Sequence, residues 1–347
     1  MAYTTINKST DYFNTVLYTG NGASTHQITG VGFQPDWNWH KIRNDTDWHM
    51  VNDAVRGANY AIYPNATNAQ GNVPTGLKSF DSDGFTVGSL PDSNQNNGNF
   101  VSWNWKANGA GSANTDGAVS TTVSVNTTAG FSIVKYTGTG TTTNFGHGLG
   151  AKPNVILIKS LSSNDWVMNG DFLGSTTWQH KIILNSTAAK ATANNFNDQA
   201  PTNSVFYLNS AHGTTNGSGT EYIAYCFRDV QGYSKFSSFV GNGSNDGSFC
   251  FTGMKPSFVM IKNTSATGVW RMWDNKRDVD NPNTANFQAN ASNAEYNDSS
   301  VGIDFLSNGF KPRSTDSSYN GSGSNYIYMA FAEAPLVGTN NVPCTAR

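Results

Sequence analysis

Apolar and polar positions in this chain alternate in short runs. Between residues 131 and 227 seven such runs follow one another: FSIVKY, FGHGL, NVILIKS, DWVMN, WQHKIIL, SVFYLN and EYIAYCF. Each is rich in β-branched and aromatic residues and is bounded by Gly, Asn, Ser or Thr, which is how strands and tight turns are written. About seven strands in roughly 100 residues predict a two-sheet β-sandwich. No apolar period of 3.6 persists for three turns, and the only glutamates are Glu221, Glu295 and Glu333, so long helices are excluded.

The same pattern occurs three times. YTGNG from Tyr18, YTGTG from Tyr136 and FVGNG from Phe239 each precede a proline, Pro35, Pro153 or Pro256, by 17 residues. A lysine follows six residues later (Lys41, Lys159, Lys262), and a tryptophan 13, 13 or 14 residues after the proline (Trp48, Trp166, Trp270). The turns NATNA from Asn65, NSTAA from Asn185 and NASNAE from Asn290 come next, then the strands FVSWNW, YIAYCF and YIYMAF. Conserved order with small insertions predicts an all-β protein of three tandem β-sandwich domains, 1–110, 111–232 and 233–347. The second gains an N-terminal hairpin, GAVSTTVSV meeting FSIVKYTG across NTTAG. After the proline, copies two and three read NVILIK and SFVMIK, apolar on both faces. Copy one reads DWNWHK, which gives its strand one wet face.

Composition narrows the function. Charged residues make up 13% of the 347 residues, about half the roughly 25% usual in soluble domains, and the net charge is -2. No basic footprint for nucleic acid exists, no apolar run is long enough for a membrane helix, and MAYTTINKSTDYF lacks the regions of a signal peptide. Cys226, Cys250 and Cys344 fit neither a disulfide framework nor a zinc site; the first two read as buried thiols. The six histidines occupy no repeated position and form no HExxH motif. FDSDGF (Phe80 to Phe85) has calcium-like spacing, but copy three reads FLSNGF there, so a hairpin turn is the better reading. No catalytic residue, metal ligand or cofactor is assigned.

Of the nine tryptophans, those at repeated positions, Trp48, Trp166 and Trp270 included, read as core. Trp178 and Trp273 lack consistent apolar counterparts and are the candidates for exposed ligand contacts, with Arg277 as a polar neighbour. The repeated lysines are expected to pack their stems while their ammonium groups reach water.

GFQPDWNW, SFDSDGFTVGS, FVSWNWKANG, NTTAGFSIVKYTGTG, GHGLGAKP, GYSKFSSFVGNGSNDG and YIYMAFAEAP resemble, over nearly the whole chain, a family of virion structural proteins of tailed phages with marine and cyanobacterial hosts. The resemblance implies a non-enzymatic particle component, made in the host cytoplasm and placed in the tail or tail fibre. Its partners would be other virion proteins, further copies of itself and a host-surface glycan bound weakly at several sites. The apolar faces and the Val119 to Val125 strand suggest a homo-oligomer, a trimer by analogy with phage appendages. A capsid decoration or head-fibre protein and a surface-polysaccharide depolymerase are the alternatives.

Overall fold

The computed structural model describes residues 3–210, 212–335 and 337. It is nearly all β, with two one-turn α-helices, Pro91–Asn94 and Gly213–Asn216. Three main antiparallel sheets carry the architecture. The first holds β1 (Phe13–Thr19), β2 (Trp37–Ile42), β3 (Met50–Asp53) and β4 (Asn99–Trp105), in the order β1-β4-β2-β3. The second holds β5 (Ser112–Asn114), β6 (Thr121–Asn126), β7 (Phe131–Thr137), β8 (Val155–Ser160), β9 (Trp166–Gly170), β10 (His180–Ile183), β11 (Ala191–Thr192) and β12 (Glu221–Phe227), in the order β5-β6-β7-β12-β8-β9-β10-β11. The third holds β13 (Ser234–Val240), β14 (Met254–Asn263), β15 (Arg271–Asp274), β16 (Ala285–Gln288), β17 (Tyr296–Asn297) and β18 (Asn325–Pro335), in the order β13-β18-β14-β15-β16-β17. One pairing order therefore occurs in all three: opening strand, closing strand, strand around or after the proline, next strand. We call the stretches around these sheets units 1, 2 and 3.

The inner faces of the three sheets meet in one central core. Phe13 stacks on Phe331 at 5.2 Å, Trp37 lies 4.7 Å from Tyr225, and Trp103 meets Phe258 edge-on at 5.8 Å. Each pair joins two different units. Ile6 also lies in this core, and Tyr3 reaches unit 3, donating its hydroxyl to the Gly253 carbonyl at 3.1 Å. The stretches expected as tandem domains thus share an interior, and this explains NVILIK and SFVMIK. One face of each strand enters the central core and the other packs under a smaller outer sheet, Thr143–Gly146 with Val205–Leu208 in unit 2 and Cys250–Phe251, Gly309–Pro312 and Ile303–Leu306 in unit 3. At roughly 1.5–3 kcal/mol for each large side chain, burial on both faces is the main stabilising term.

Unit 1 departs from the expected wet face. All six residues of β2 are buried, under an outer sheet of His26–Thr29, Gly84–Val87 and Leu77–Asp81. Its polar residues bond one another: Asn38 donates to Ser102 and Asn104, both at 2.8 Å, and its side-chain oxygen lies 2.7 Å from His40 Nδ1. A buried polar layer replaces the Ile156, Ile158, Val259 and Ile261 packing of the other units.

The Asp-Gly and Asn-Gly turns are hairpins, with Asp81 opposite Gly84 and Leu306 opposite Gly309. A Cβ on Gly84 would overlap the Ile28 carbonyl and one on Gly309 the Cys250 carbonyl, so the neighbouring strand demands the glycine. In unit 2, β6 pairs with β7 within the chain, Val123 opposite Val134. The stretch expected to cross a subunit boundary is therefore partnered internally.

Candidate functional site

The repeated turns close the three units into a ring. Asn65, Asn185 and Asn290 each accept a bond from the backbone N–H of a buried aromatic residue in their own unit, His49 at 3.0 Å and Trp166 and Trp270 at 2.8 Å. Each aromatic ring then reaches into another unit. Trp166 Nε1 donates to the Tyr63 carbonyl, Trp270 Nε1 to the Ile183 carbonyl, both at 2.9 Å, and His49 Nε2 meets the Gln288 carbonyl at 3.2 Å. Backbone bonds follow the same circuit: Asn164 to Thr67, Gly268 to Thr187 and Asp47 to Ser292. Unit 1 docks on unit 2, unit 2 on unit 3, and unit 3 back on unit 1.

His49, not Trp48, therefore holds the position of Trp166 and Trp270. Its Nδ1 accepts from Trp39 Nε1 at 3.0 Å, so Nε2 carries the proton given to Gln288. Burial, followed by the charge of Lys41, drives this imidazole well below the ordinary histidine range.

The repeated lysines seal the same seams. Lys41, Lys159 and Lys262 are fully buried, and their ammonium groups bond carbonyl oxygens rather than water: Ile42 at 2.8 Å for Lys41, Ser160 at 2.9 Å for Lys159, and Asn263 and Thr187 at 3.0 Å for Lys262. The long stem was expected to deliver the charge to solvent; the loop that follows each strand folds over it instead. Desolvation lowers each to about 8.

The expected ligand contacts are interior residues. Trp178 and Trp273 are fully buried. Trp178 packs edge-on against Phe196 at 5.5 Å and donates to Asp171 at 2.9 Å. Trp273 lies under the outer sheet of unit 3, 5.1 Å from Tyr319. Arg277 faces the central core, its guanidinium 4.7 Å from the Phe287 ring centre, paired with Asp274 and, at 2.9 Å, with Glu295. No sugar can stack on these rings. Their lack of apolar counterparts reflects different fillings of one sandwich interior.

Trp48 is the exposed member. It is 36% exposed, and the other eight tryptophans are buried. It stands edge-on to Tyr63 at 4.8 Å, and Tyr63 in turn lies within the field of the Asp92 and Asp47 carboxylates. Burial and then the neighbouring Asp47 carboxylate push Asp92 up to about 6. An aromatic face bordered by carboxylates suits a hydroxyl-rich ring, apolar contact below and acceptors at the rim. No group of three His, Cys, Asp or Glu side chains among the described residues is arranged to hold a metal. Cys226 is buried, its thiol raised to about 12; Cys250 is buried and raised further, and Cys344 lies outside the described residues. No helix among the described residues is long and apolar enough to cross a membrane.

A family model covers residues 8–335, through all three sheets. The chain belongs to the family described as a domain of unknown function, DUF7483. Neither curated proteins nor solved structures match it. The family description names no activity, so the function rests on the geometry and on the resemblance read from the sequence.

The exchange of Trp48 for His49 left no mark in the spacing: counted from the proline, Trp48 and Trp166 both lie at 13 residues and His49 and Trp270 at 14, so neither residue type nor position separates Trp48 from the interior tryptophans.

Proposed function

We propose that this protein is a non-enzymatic structural component of a phage particle, in the tail or tail fibre, that touches host-surface carbohydrate through the Trp48 face. The structural part is supported by where the reactive side chains lie. The buried lysines, Arg56 with Asp53, and Arg277 with Asp274 and Glu295 all join strands and turns in the interior. Such pairs favour one rigid arrangement over chemistry on a substrate. The resemblance to virion structural proteins supports the setting.

The carbohydrate contact rests on Trp48 alone, exposed where its neighbour His49 fills the interior position. One such platform binds weakly, and a particle bearing many copies compensates by multivalency. Labelled antibody against the protein, imaged on the phage particle, tests the location: tail labelling supports the proposal, and labelling confined to the capsid shell favours a decoration role. Trp48→Ala tests the contact. Normal assembly with lost adsorption and lost binding of host-surface polysaccharide supports it; unchanged polysaccharide binding removes it.

A further inference from the structure

We propose that β1 is a docking edge for a second copy of this chain, pairing antiparallel with the β1 of its partner about Leu17. The three units supply the comparison. β1, β7 and β13 are equivalent opening strands, and each would stand at the edge of its sheet. In unit 2 that edge is covered by β6, with Thr122 opposite Lys135, Ser124 opposite Ile133 and Asn126 opposite Phe131. The molecule thus shows what this edge accepts: an antiparallel strand of alternating β-branched and small residues.

Unit 3 has no such strand but protects its edge. The Asp229 carboxylate takes the outward N–H of Phe236 at 2.8 Å and pairs with Lys235, and Ser248 Oγ covers the Val240 carbonyl at 3.0 Å. Charge and side-chain capping are common ways of blunting an edge strand. The far edges of units 2 and 3 end in two-residue strands, and that of unit 1 is bonded to Ile62.

β1 has none of these devices. FNTVLYT contains no charge and no proline, and its seven residues pair with β4 without a bulge. Just outside the strand, the Tyr12 carbonyl accepts a backbone bond from Lys106 and the Gly20 N–H donates one to Gly98. Alternation therefore turns the backbone groups of Thr15, Leu17 and Thr19 away from β4, and among the described residues no backbone bond reaches them; Leu17 and Thr19 are exposed and Thr15 is buried. Leu17 is 39% exposed in the middle of this row.

Self-pairing fits this edge better than pairing with a charged segment. A twofold axis through Leu17 sets Leu17 against Leu17 and Thr15 against Thr19 of the partner copy, so the apolar residue is covered and no like charges meet. The contact is small against the roughly 1,200 Å² of stable interfaces, so the free protein forms a weak, concentration-dependent dimer that many copies on a particle would reinforce.

Sedimentation of the full chain from 5 to 200 µM tests this, with variants made in a Cys344→Ser background. The expected result is a monomer–dimer equilibrium weakened at least tenfold by Leu17→Lys and left unchanged by Ser238→Lys on β13. Thr19→Lys gives the same reading should Leu17→Lys lower the melting temperature. Oxidised Leu17→Cys should yield a covalent dimer. A monomer throughout the range, or an oligomer indifferent to both β1 lysines, overturns the proposal.

Discussion

Tyr225 of unit 2 donates its hydroxyl to the buried carboxylate of Asp53 in unit 1 at 2.7 Å. Trp103 of unit 1 does the same for Asp274 of unit 3, at 3.0 Å. At the third seam both partners change together: Met329 holds the donor position and Gly170 the acceptor position, which needs no bond. Asp53 and Asp274 also neutralise the buried Arg56 and Arg277. Removing Asp53 strands both a cation and a donor, and removing Asp274 strands the Trp103 donor and leaves Arg277 to Glu295 alone. Asp53→Ala and Asp274→Ala should each destabilise the fold by about 3–5 kcal/mol, and Tyr225→Phe by about 1–3 kcal/mol. Urea unfolding at pH 7 measures these, and the Asp53/Tyr225 double-mutant cycle should show strong coupling.

The exchange of roles between Trp48 and His49 predicts unequal tolerance of tryptophan loss. Trp166→Ala or Trp270→Ala opens a cavity at a seam and should cost about 3–5 kcal/mol. Trp48→Ala should fall within about 0.5 kcal/mol of the wild type, as at a surface position. Thermal melts of the three variants check this; a Trp48→Ala loss equal to that of Trp270→Ala would place Trp48 in the core.

These seams also mark where reading from sequence stopped. The strands were legible because half-buried and doubly buried runs differ from turns in local composition, and the seven runs of unit 2 all appear as strands. The hairpin turn at Asp83 and Gly84 was legible because glycine alone fits its site. The shared core was not, since NVILIK reads the same whether its second cover is another subunit or another part of the chain. Nor was the burial of Trp178 and Trp273, because an outer sheet formed by distant residues such as Val205–Leu208 leaves no local mark. DWNWHK shows the same limit: polarity predicted water, and the structure instead bonds Asn38 to Ser102, Asn104 and His40 in the interior.

Acid should destabilise the protein through its buried imidazoles. Burial lowers His40 to about 3 and His147 to about 4, and His49 falls well below the usual range. Below about 6.5 the unfolded chain takes up protons that the folded one refuses, so stability falls as pH drops. For His40 alone the loss reaches about 3 kcal/mol at pH 4. Asp92, raised to about 6, works in the opposite sense over part of this window and offsets some of it. Above about 8 the sign stays the same, because the folded lysines release protons that the unfolded chain retains. Stability should therefore rise from pH 8 to 9.5, before the buried tyrosines oppose it. Urea midpoints at pH 4, 7 and 9.5 should increase in that order.

Because one core and one ring of docking turns join the units, they should unfold together. A chain of separate sandwiches would lose its parts one at a time. Here, removal of any unit exposes the inner faces of the other two and breaks two of the three seams. Circular dichroism, tryptophan fluorescence and calorimetry should report one coincident transition, and residues 111–232 expressed alone should fail to give a cooperative melt. The ring also predicts tolerance of a changed chain order. Gly232 lies against both Thr4 and Pro335, so the start of unit 1 and the end of unit 3 meet at one place. A permutant joining residue 337 to residue 3 through a short glycine linker, with new ends between residues 110 and 111, keeps all three seams. It should melt within a few degrees of the parent, and a permutant that fails to fold would show that the covalent link between units 1 and 2 carries what the ring contacts do not.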